Sequence, residues 1–375
     1  MVRPKLALAA LLFILPVSGI EIAAQTSSAT IKDSALWEMD LKTLGYPACP
    51  SESSSKNPGA PPTTLAFAGP LHLVATFISC GRLYATVFDA SVGRVEVKRD
   101  WASGNRSDGA VTAHNEGIVI RAGNRLTLYA TTLEPLKDKD LDSSSSRPAY
   151  GGPFGRFTSL TGRFVLFESV RDNRHEYAWM DADTLEFVHA FSSDLHPLSI
   201  SETEVLGWKR TTPHGQVQLV IQKQDEQAGR VIMLSKYHPN DVVFVNQDIF
   251  AMGTAYSAMA LLQTDGTRIE TIKAPGHDFI SRVTPSADGH RFALTGSTVR
   301  NVLELSSPYQ QWEYVQRVLV YDICMRQFIR DVRVSHSTRN QEFPLALSPD
   351  GSRLAFFDGD TLKIYDVPAA GNPCP

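Results

Sequence analysis

The chain has 375 residues, of which 43% are hydrophobic and 20% are charged, and its formal net charge at pH 7 is −4. The near-balance of 36 basic and 40 acidic residues argues against nucleic acid as the main partner, because nucleic-acid-binding domains concentrate positive charge. A chain of this length exceeds the usual size of a single hydrophobic core, which favours either several domains or a fold built from units that pack on their neighbours.

Residues 1–24 have the pattern of an export signal. Arg3 and Lys5 give a positive start, and an apolar run over residues 6–17 follows. That run is too short for a membrane-spanning helix. Small residues at 17–19 and at 22–24 offer two cleavage sites, of which we prefer the one after Ala24. We therefore expect a secreted or periplasmic protein with no membrane span once the signal is removed, and one mature domain over 25–375.

The mature chain is predicted to be all-β. Residues 35–41 indicate a strand set apart from the rest, and residues 46–64, rich in Pro, Ser and Gly, indicate a loop. From residue 65 to residue 367, apolar and polar positions alternate between Gly and Asp turns, as half-buried strands require. No segment of useful length shows the helical period.

Two short motifs recur along the chain. Ser-Pro-Asp-Gly at 348–351 and Ser-Ala-Asp-Gly at 286–289 each precede an apolar strand. A hydrophobic residue followed by Asp closes four units, at Asp89, Asp181, Asp322 and Asp366. The intervals between these Asp residues are near two, three and one times a period of about 46 residues, which is typical of four-stranded propeller blades. We predict a seven-bladed β-propeller.

The blades are predicted over 65–367. The seven units span residues 65–100, 110–136, 157–191, 198–234, 242–272, 280–334 and 343–367. The sixth unit carries a long insertion at 298–315, and residues 138–148 resemble a degenerate Ca²⁺ loop that we interpret as a solvated loop. The last unit stops one strand short, so residues 35–41 are predicted to complete it and close the ring.

The repeat also supports a resemblance to a known family. The run Ser-Pro-Asp-Gly-Ser-Arg-Leu-Ala-Phe at 348–356, closed by Tyr-Asp-Val at 365–367, resembles the WD40-like repeats of TolB-type periplasmic β-propellers. Residues 285–294 are similar but degraded. Across its length the chain is similar to uncharacterised, secreted propeller proteins of soil bacteria. The resemblance implies a propeller fold and an exported location, and it carries no catalytic residues.

Four cysteines, Cys49, Cys80, Cys324 and Cys374, allow three disulfide pairings in an exported chain. Strand connections within a blade alternate between the two faces of the disc. On that basis Cys49 and Cys80 belong to one face, and Cys324 and Cys374 to the other. We predict the pairs Cys49–Cys80 and Cys324–Cys374, each near the seam where the ring closes.

No motif for nucleophilic or metal chemistry stands out. The ten histidines show no His-x-His or His-x-x-x-His pair, and Gly-x-Ser-x-Gly is missing. Glu202 and Glu204 could form a carboxylate pair, but they occupy the place of the repeated turn, and a turn role is favoured. The recurring Asp residues are predicted to cap turns. We expect no catalytic residues, no metal site and no cofactor.

Two segments stand out as binding candidates. Arg171 and Arg174 lie in a charged turn between strands, and Tyr309, Trp312 and Tyr314 place three aromatics in the long insertion. Insertions on a rigid scaffold are common binding surfaces, and exposed aromatics would suit a peptide or a glycan. The alternative, that these aromatics pack against the edge of the propeller, stays open.

These observations favour an exported, non-catalytic interaction module that binds a protein, peptide or envelope polymer, and we expect a monomer. The alternative is a hydrolase or lyase with a central-channel site built from loop residues that no motif identifies. A quinoprotein-like dehydrogenase has less support, because no cofactor motif is visible. Three or more convergent acids or histidines at the channel would favour an enzyme, whereas a flat face with aromatics would favour binding.

Overall fold

The computed structural model describes residues 34–46, 62–102, 108–112, 117–141, 147–148, 157–171, 174–210, 216–226, 228–235, 240–255, 258–274, 279–302, 311–334 and 344–369. The predicted export signal over 1–24 lies outside these residues, as do Cys49, Cys374 and Tyr309. The side chains of Arg171, Arg174, Trp312 and Tyr314 also lie outside the description, although their backbone is assigned to strands.

Seven four-stranded antiparallel sheets form the blades of a ring, which confirms the predicted seven-bladed β-propeller. Blade 1 comprises β2 Pro62–Ala68, β3 His72–Ser79, β4 Arg82–Asp89 and β5 Val95–Trp101. Blade 2 comprises β6 Gly109–Thr112, β7 Ile118–Ala122, β8 Arg125–Tyr129 and β9 Pro135–Asp140. Blade 3 comprises β10 Arg147–Pro148, β11 Phe164–Arg171, β12 Arg174–Asp181 and β13 Glu186–Ser192.

The remaining four blades continue in chain order. Blade 4 comprises β14 His196–Ile200, β15 Glu204–Arg210, β16 Val217–Lys223 and β17 Arg230–Ser235. Blade 5 comprises β18 Asn240–Phe244, β19 Ile249–Ala255, β20 Ala258–Gln263 and β21 Arg268–Lys273. Blade 6 comprises β22 Phe279–Pro285, β23 Arg291–Val302, β24 Gln311–Asp322 and β25 Gln327–Val334. Blade 7 comprises β26 Leu345–Leu347, β27 Arg353–Asp358, β28 Thr361–Asp366 and β1 Trp37–Asp40.

Strand β1 closes the ring, as predicted from residues 35–41. It pairs antiparallel with β28, from Trp37 opposite Ile364 to Asp40 opposite Thr361. A 3₁₀ helix, Leu41–Leu44, follows and ends on Gly45 in the left-handed conformation. The indole Nε1 of Trp37 donates a hydrogen bond of 2.9 Å to the carbonyl oxygen of Ala90 in blade 1. The closing strand is therefore tied both to its own sheet and to the next blade.

The core is divided among the blade interfaces. Seven separate apolar clusters each draw residues from two neighbouring blades; the one between blades 7 and 1, for example, contains Phe77 and Phe357 at a ring-centroid distance of 5.8 Å. The second strands read as nearly continuous buried runs because both of their faces are covered, whereas the outermost strand β5 alternates. This arrangement explains how a long chain avoids one oversized core.

Three boundaries differ from the sequence predictions. The described residues of the predicted insertion, 298–302 and 311–315, extend β23 and β24, so Trp312 and Tyr314 lie in a strand rather than a loop. The predicted loop at 138–148 begins instead as the outermost strand of blade 2. Blade 3 starts earlier than residue 157, because Arg147 and Pro148 pair with β11. In the second case, the polar composition reflects the position of β9 at the outer edge of its sheet and not a loop.

Each blade is an antiparallel meander, so its connections alternate between the two faces of the disc. The turns between first and second strands, and between third and fourth strands, open on one face, which we call the capped face. The hairpins between second and third strands, and the crossings from blade to blade, open on the other, which we call the hairpin face. Functional residues can be assigned to one face or the other on this basis.

Candidate functional site

A central cavity of about 1140 Å³ is lined by residues of the innermost strands of six blades and, in blade 3, by residues 157–162 between β10 and β11. Most of its described lining is apolar or carries hydroxyl groups. Four charged residues are found among the described lining residues: Asp241, Arg282, Asp288 and Asp350. Two of them lie within innermost strands and two lie in turns at the rim, so the two pairs have to be considered separately.

Asp241 and Arg282 lie at β-bulges in the innermost strands of the neighbouring blades 5 and 6. The pairing register shifts at both positions. Their φ angles are 48° and 51°, in the left-handed region that residues other than Gly rarely adopt. Bulges re-aim side chains and are frequent near functional sites. An acidic residue, Asp241, and a positively charged residue, Arg282, therefore line the same side of the channel.

The two rim acids have a turn role. In blade 7, Ser348 Oγ donates to Asp350 Oδ1 at 2.6 Å and accepts from the backbone N–H of Arg353 at 2.9 Å. In blade 6, Ser286 Oγ donates to Asp288 Oδ1 at 2.5 Å. The Ser-x-Asp-Gly motif is thus a self-bonded turn that starts the second strand.

Hydrogen bonding also sets the charge state of Asp350. Burial alone would raise the pKa of this carboxyl, but hydrogen bonds from the side chain of Ser348 and from the backbone and side chain of Ser352 outweigh it. The pKa of Asp350 is therefore lowered from its ordinary value. A carboxylate held ionised inside a turn is suited to structure rather than to proton transfer at neutral pH.

The recurring hydrophobic-Asp pairs cap the turns after the third strands. Asp181 Oδ1 accepts hydrogen bonds from two backbone N–H groups of the following turn at 3.0 Å, and Asp322 Oδ1 does the same. Asp89 Oδ1 accepts from the backbone N–H of Ser91 at 2.9 Å. The capping prediction is confirmed for these three. It is wrong for Asp366, because the fourth strand of blade 7 is β1, which comes from earlier in the chain.

A buried ion pair joins this cap to the neighbouring blade. Arg291 Nε lies 3.1 Å from Asp322 Oδ2, and the two side chains are 6% and 0% exposed. Arg291 Nη1 also donates to the carbonyl oxygen of Gly351 in blade 7 at 2.9 Å. Gly351 has φ +65°, and a Cβ there would stand 2.7 Å from Arg291 Cδ. The Asp-Gly turn of one blade is thus shaped to receive the arginine of another.

Glu202 and Glu204 do not form a catalytic pair. The Glu202 carboxylate accepts hydrogen bonds from Ser159 Oγ at 3.0 Å and from Thr161, through its backbone N–H at 3.0 Å and its Oγ1 at 2.9 Å. The backbone N–H of Glu204 donates to Ser201 Oγ at 3.1 Å, and burial raises the pKa of its carboxyl. Glu202 therefore links the turns of blades 3 and 4, which agrees with the favoured turn role.

The described channel does not assemble an acid or histidine cluster. Of its three described acids, Asp288 and Asp350 hold turns, and no histidine lies among the described lining residues. Within the described part of the chain, no group of three or more His, Cys, Asp or Glu residues is arranged to hold a metal ion. The threshold of three convergent groups set for an enzyme is not reached by these residues.

Within the described residues, the hairpin β23–β24 continues on the hairpin face beyond the first residue of β22 and the last residue of β25. Pairing with β22 stops at Ser297, and pairing with β25 stops at Gln316. Five further cross-strand pairs follow between β23 and β24, including Val299 with Tyr314 and Asn301 with Trp312. We call the residues 298–302 and 311–315 the arm. Two of the three predicted aromatics therefore lie on an element that no other described strand accompanies.

The predicted arginines lie on the same face. Arg171 and Arg174 are cross-strand partners at the end of the β11–β12 hairpin of blade 3. Blade 3 and blade 6 lie across the ring from each other, so these arginines and the arm flank the channel mouth from opposite sides. The backbone positions of Arg171, Arg174, Trp312 and Tyr314 therefore lie on one face but in two separate blades, and Tyr309 lies outside the described residues.

The two described cysteines lie on opposite faces. Cys80 lies in the β3–β4 hairpin, and Cys324 lies in the turn between β24 and β25, as the topological argument predicted. Both are disulfide-bonded. Since Cys49 and Cys374 lie outside the described residues, the pairing Cys49–Cys80 and Cys324–Cys374 stays a prediction.

Asp241 and Arg282 were missed in the sequence, although a signal for them exists. Each is a charged residue inside a short apolar run that the repeat places innermost, in Asn-Asp-Val-Val-Phe at 240–244 and Ser-Arg-Val-Thr at 281–284. A charge at the most buried strand position indicates either a channel-facing residue or a bulge.

Comparisons with known proteins agree with the fold. The WD40 domain of Pan2 from Neurospora crassa matches with a TM-score of 0.53 at 10% sequence identity, covering 90% of this chain and 96% of that domain. No family model and no curated protein matches the chain. The chain therefore has a WD40-like β-propeller fold, and the similarity at this identity extends to the fold alone. Among the described residues, no helix has the length and apolar character needed to span a membrane.

Proposed function

We propose that this protein is an exported, non-catalytic interaction module that binds a protein, peptide or envelope polymer on its hairpin face. The observation that carries the proposal is the arm. A two-stranded ribbon is marginal in water on its own and adds little to a core that is already complete. An element that extends past the described part of its sheet and carries Trp312 and Tyr314 fits a binding role, since aromatic residues are enriched at interfaces.

The hydrogen bonds made by the acidic side chains support the same proposal. Acids on the capped face and at the channel rim accept hydrogen bonds from turn residues, so their role is to stabilise the turns of the propeller. A WD40-like scaffold with its acids committed in this way favours binding over hydrolysis. The hydrolase or lyase alternative would have to draw on Asp241 and Arg282.

A binding experiment with a shortened arm tests the proposal. In the test variant, an Asn-Gly turn replaces residues 299–314, leaving Thr298 and Val315 as the last pair. In the control, Asn124→Gly alters the two-residue hairpin between β7 and β8 of blade 2. Partners captured from envelope extract would be purified and their affinities measured by calorimetry.

We expect the control to bind like the unmodified protein and the shortened arm to lose at least about tenfold in affinity, or about 1.4 kcal/mol. Equal binding by the shortened protein, or capture of no specific partner by the unmodified one, would overturn the proposal.

Export is a separate part of the proposal and has its own test. Removal of residues 1–24 predicts a mature chain that begins at Gln25. N-terminal sequencing of the protein from the periplasmic or secreted fraction of its native host would show this start. An intact Met1 on protein confined to the cytoplasmic fraction would contradict export.

A further inference from the structure

Among the described strands, the outermost strand of each blade has a neighbouring strand on one side only, so one row of its backbone N–H and C=O groups has no partner strand. Such edges attract additional strands, and proteins usually protect them with charged residues or proline. Five of the seven outermost strands follow this rule. Their protecting residues are Glu38 and Asp40 on β1, Glu96, Lys98, Arg99 and Asp100 on β5, Pro135, Lys137, Asp138, Lys139 and Asp140 on β9, Arg268, Glu270 and Lys273 on β21, and Arg330, Asp331 and Arg333 on β25.

The adjacent blades 3 and 4 depart from the rule. Strand β13 reads Glu-Phe-Val-His-Ala-Phe-Ser and β17 reads Arg-Val-Ile-Met-Leu-Ser, each with one charge, at its first residue. Large apolar side chains on them are exposed: Phe187 40%, Val188 51%, Val231 45% and Leu234 57%. These two edges therefore lack the charges that protect the others.

Strand β17 is partly covered by the next blade. Its Arg230 Nη2 donates to the carbonyl oxygen of Thr264 in blade 5 at 2.9 Å. A Cβ on Gly266 of the same turn would stand 2.7 Å from the carbonyl oxygen of Ile232, in the middle of β17. The neighbouring turn thus approaches the β17 backbone directly. No comparable approach to β13 is found among the described residues.

The single charge of β13 is neutralised from the side. Both Lys137 Nζ and Lys139 Nζ lie 3.1 Å from the Glu186 carboxylate, and the Lys139 ammonium lies 5.0 Å from the Phe187 ring centroid. The remaining six residues of β13 carry no acid, lysine or arginine. The edge therefore offers backbone hydrogen bonds and apolar side chains with no unpaired charge, which complements an uncharged strand.

We propose that the β13 edge of blade 3 is a docking site for an extended, uncharged peptide segment of a partner, which adds to the sheet as a fifth strand. Unpaired strand groups are satisfied by an extended backbone, and the exposed Phe187 and Val188, which are adjacent at a β-bulge of β13, favour apolar side chains on the segment that docks there. A second copy of this chain fits less well. Two convex discs meeting rim to rim touch along one strand, whereas a stable dimer buries roughly 1,200–2,000 Å².

Hydrogen exchange and anisotropy with a defined probe test this site. The probe is a fluorescein-labelled, uncharged peptide of alternating Thr and Val residues, titrated into the purified chain. We expect saturable binding and slower amide exchange within residues 186–192. Val188→Lys introduces an edge charge and should weaken binding by at least about tenfold, whereas Val188→Thr keeps an uncharged β-former and should stay within about twofold.

The remaining outcomes distinguish docking at β13 from binding at β17, binding at the hairpin face and dimerisation of the chain. Exchange protection on β17 or on the hairpin face without β13, or equal binding by Val188→Lys, would overturn the proposal. Sedimentation showing a dimer that Val188→Lys dissociates, without peptide binding, would identify a second copy as the occupant and also overturn it. The shortened-arm protein should bind this peptide normally, so failure at the arm and failure at β13 are distinguishable.

Discussion

The capped face and the hairpin face are built from the same strands, yet they follow opposite rules. On the capped face the same turn chemistry recurs: a Ser-x-Asp-Gly turn in blades 6 and 7 and an Asp cap after the third strand in blades 1, 3 and 6. On the hairpin face the connections vary from the two residues Cys80 and Gly81 to the arm of blade 6. The repeated turns on the capped face are therefore required for the fold of each blade, whereas the length and sequence of the hairpins on the other face are not fixed by the fold.

The capped face also carries the links between blades. Arg291 reaches the carbonyl oxygen of Gly351 in the next blade, and Arg353 Nη1 donates to the carbonyl oxygen of Pro70 in blade 1 at 3.0 Å. Glu202 makes a similar link between blades 4 and 3. We therefore expect substitutions on this face to change stability and substitutions on the hairpin face to change binding.

The largest effect is expected for Asp322→Ala. The substitution removes two turn hydrogen bonds and leaves Arg291 as a buried charge without its carboxylate, which should lower the free energy of unfolding by about 3–5 kcal/mol. Asp89→Ala is the matched control, because Asp89 caps the corresponding turn of blade 1 but is partly exposed, and it should cost about 1 kcal/mol. Urea unfolding measures both, and equal losses would contradict the role of the buried pair.

A smaller effect is expected where the ring closes. Gly93 has φ +74°, and a Cβ there would stand 2.6 Å from the Trp37 ring. Gly93→Ala should therefore cost about 2 kcal/mol or more in the unmodified protein, but only about 1 kcal/mol in a Trp37→Ala background, where the backbone term alone remains. A double-mutant cycle by urea unfolding measures the difference. Additive losses would show that Trp37 does not pack on this turn.

A still smaller effect concerns pH. Since the pKa of Asp350 is lowered in the folded state, its contribution to stability is present above the unfolded pKa near 4 and is lost as pH falls through the folded pKa. Asp350→Asn should lower the urea midpoint at pH 7, and the difference from the unmodified protein should shrink below about pH 3. A constant difference at both pH values would mean that the charge of Asp350 does not contribute.

The contrast between the faces explains which features could be predicted from the sequence. The repeated motifs lie on the capped face, so spacing alone indicated the blade period, the closing strand and the Asp caps. Register shifts also occur in the innermost strands of blades 1 and 4, at Thr63 and Leu198, so what sets Asp241 and Arg282 apart is their charge, which no repeated motif marks. The β13 edge stands out because it has fewer charged residues than most other outermost strands. This comparison can be made only when it is known which strands are outermost. The arm resembled a loop because polar residues alternate with Trp312 and Tyr314.

The central claim is that the capped face determines stability and the hairpin face determines binding. It is tested most directly by measuring both unfolding and binding on the shortened-arm protein and on Asp322→Ala. The account predicts that the protein with residues 299–314 replaced keeps its free energy of unfolding within about 1 kcal/mol and loses its partner. It predicts the reverse for Asp322→Ala, which should bind normally under conditions where it is folded. A shortened arm that destabilises the ring as much as Asp322→Ala while binding is retained would contradict it.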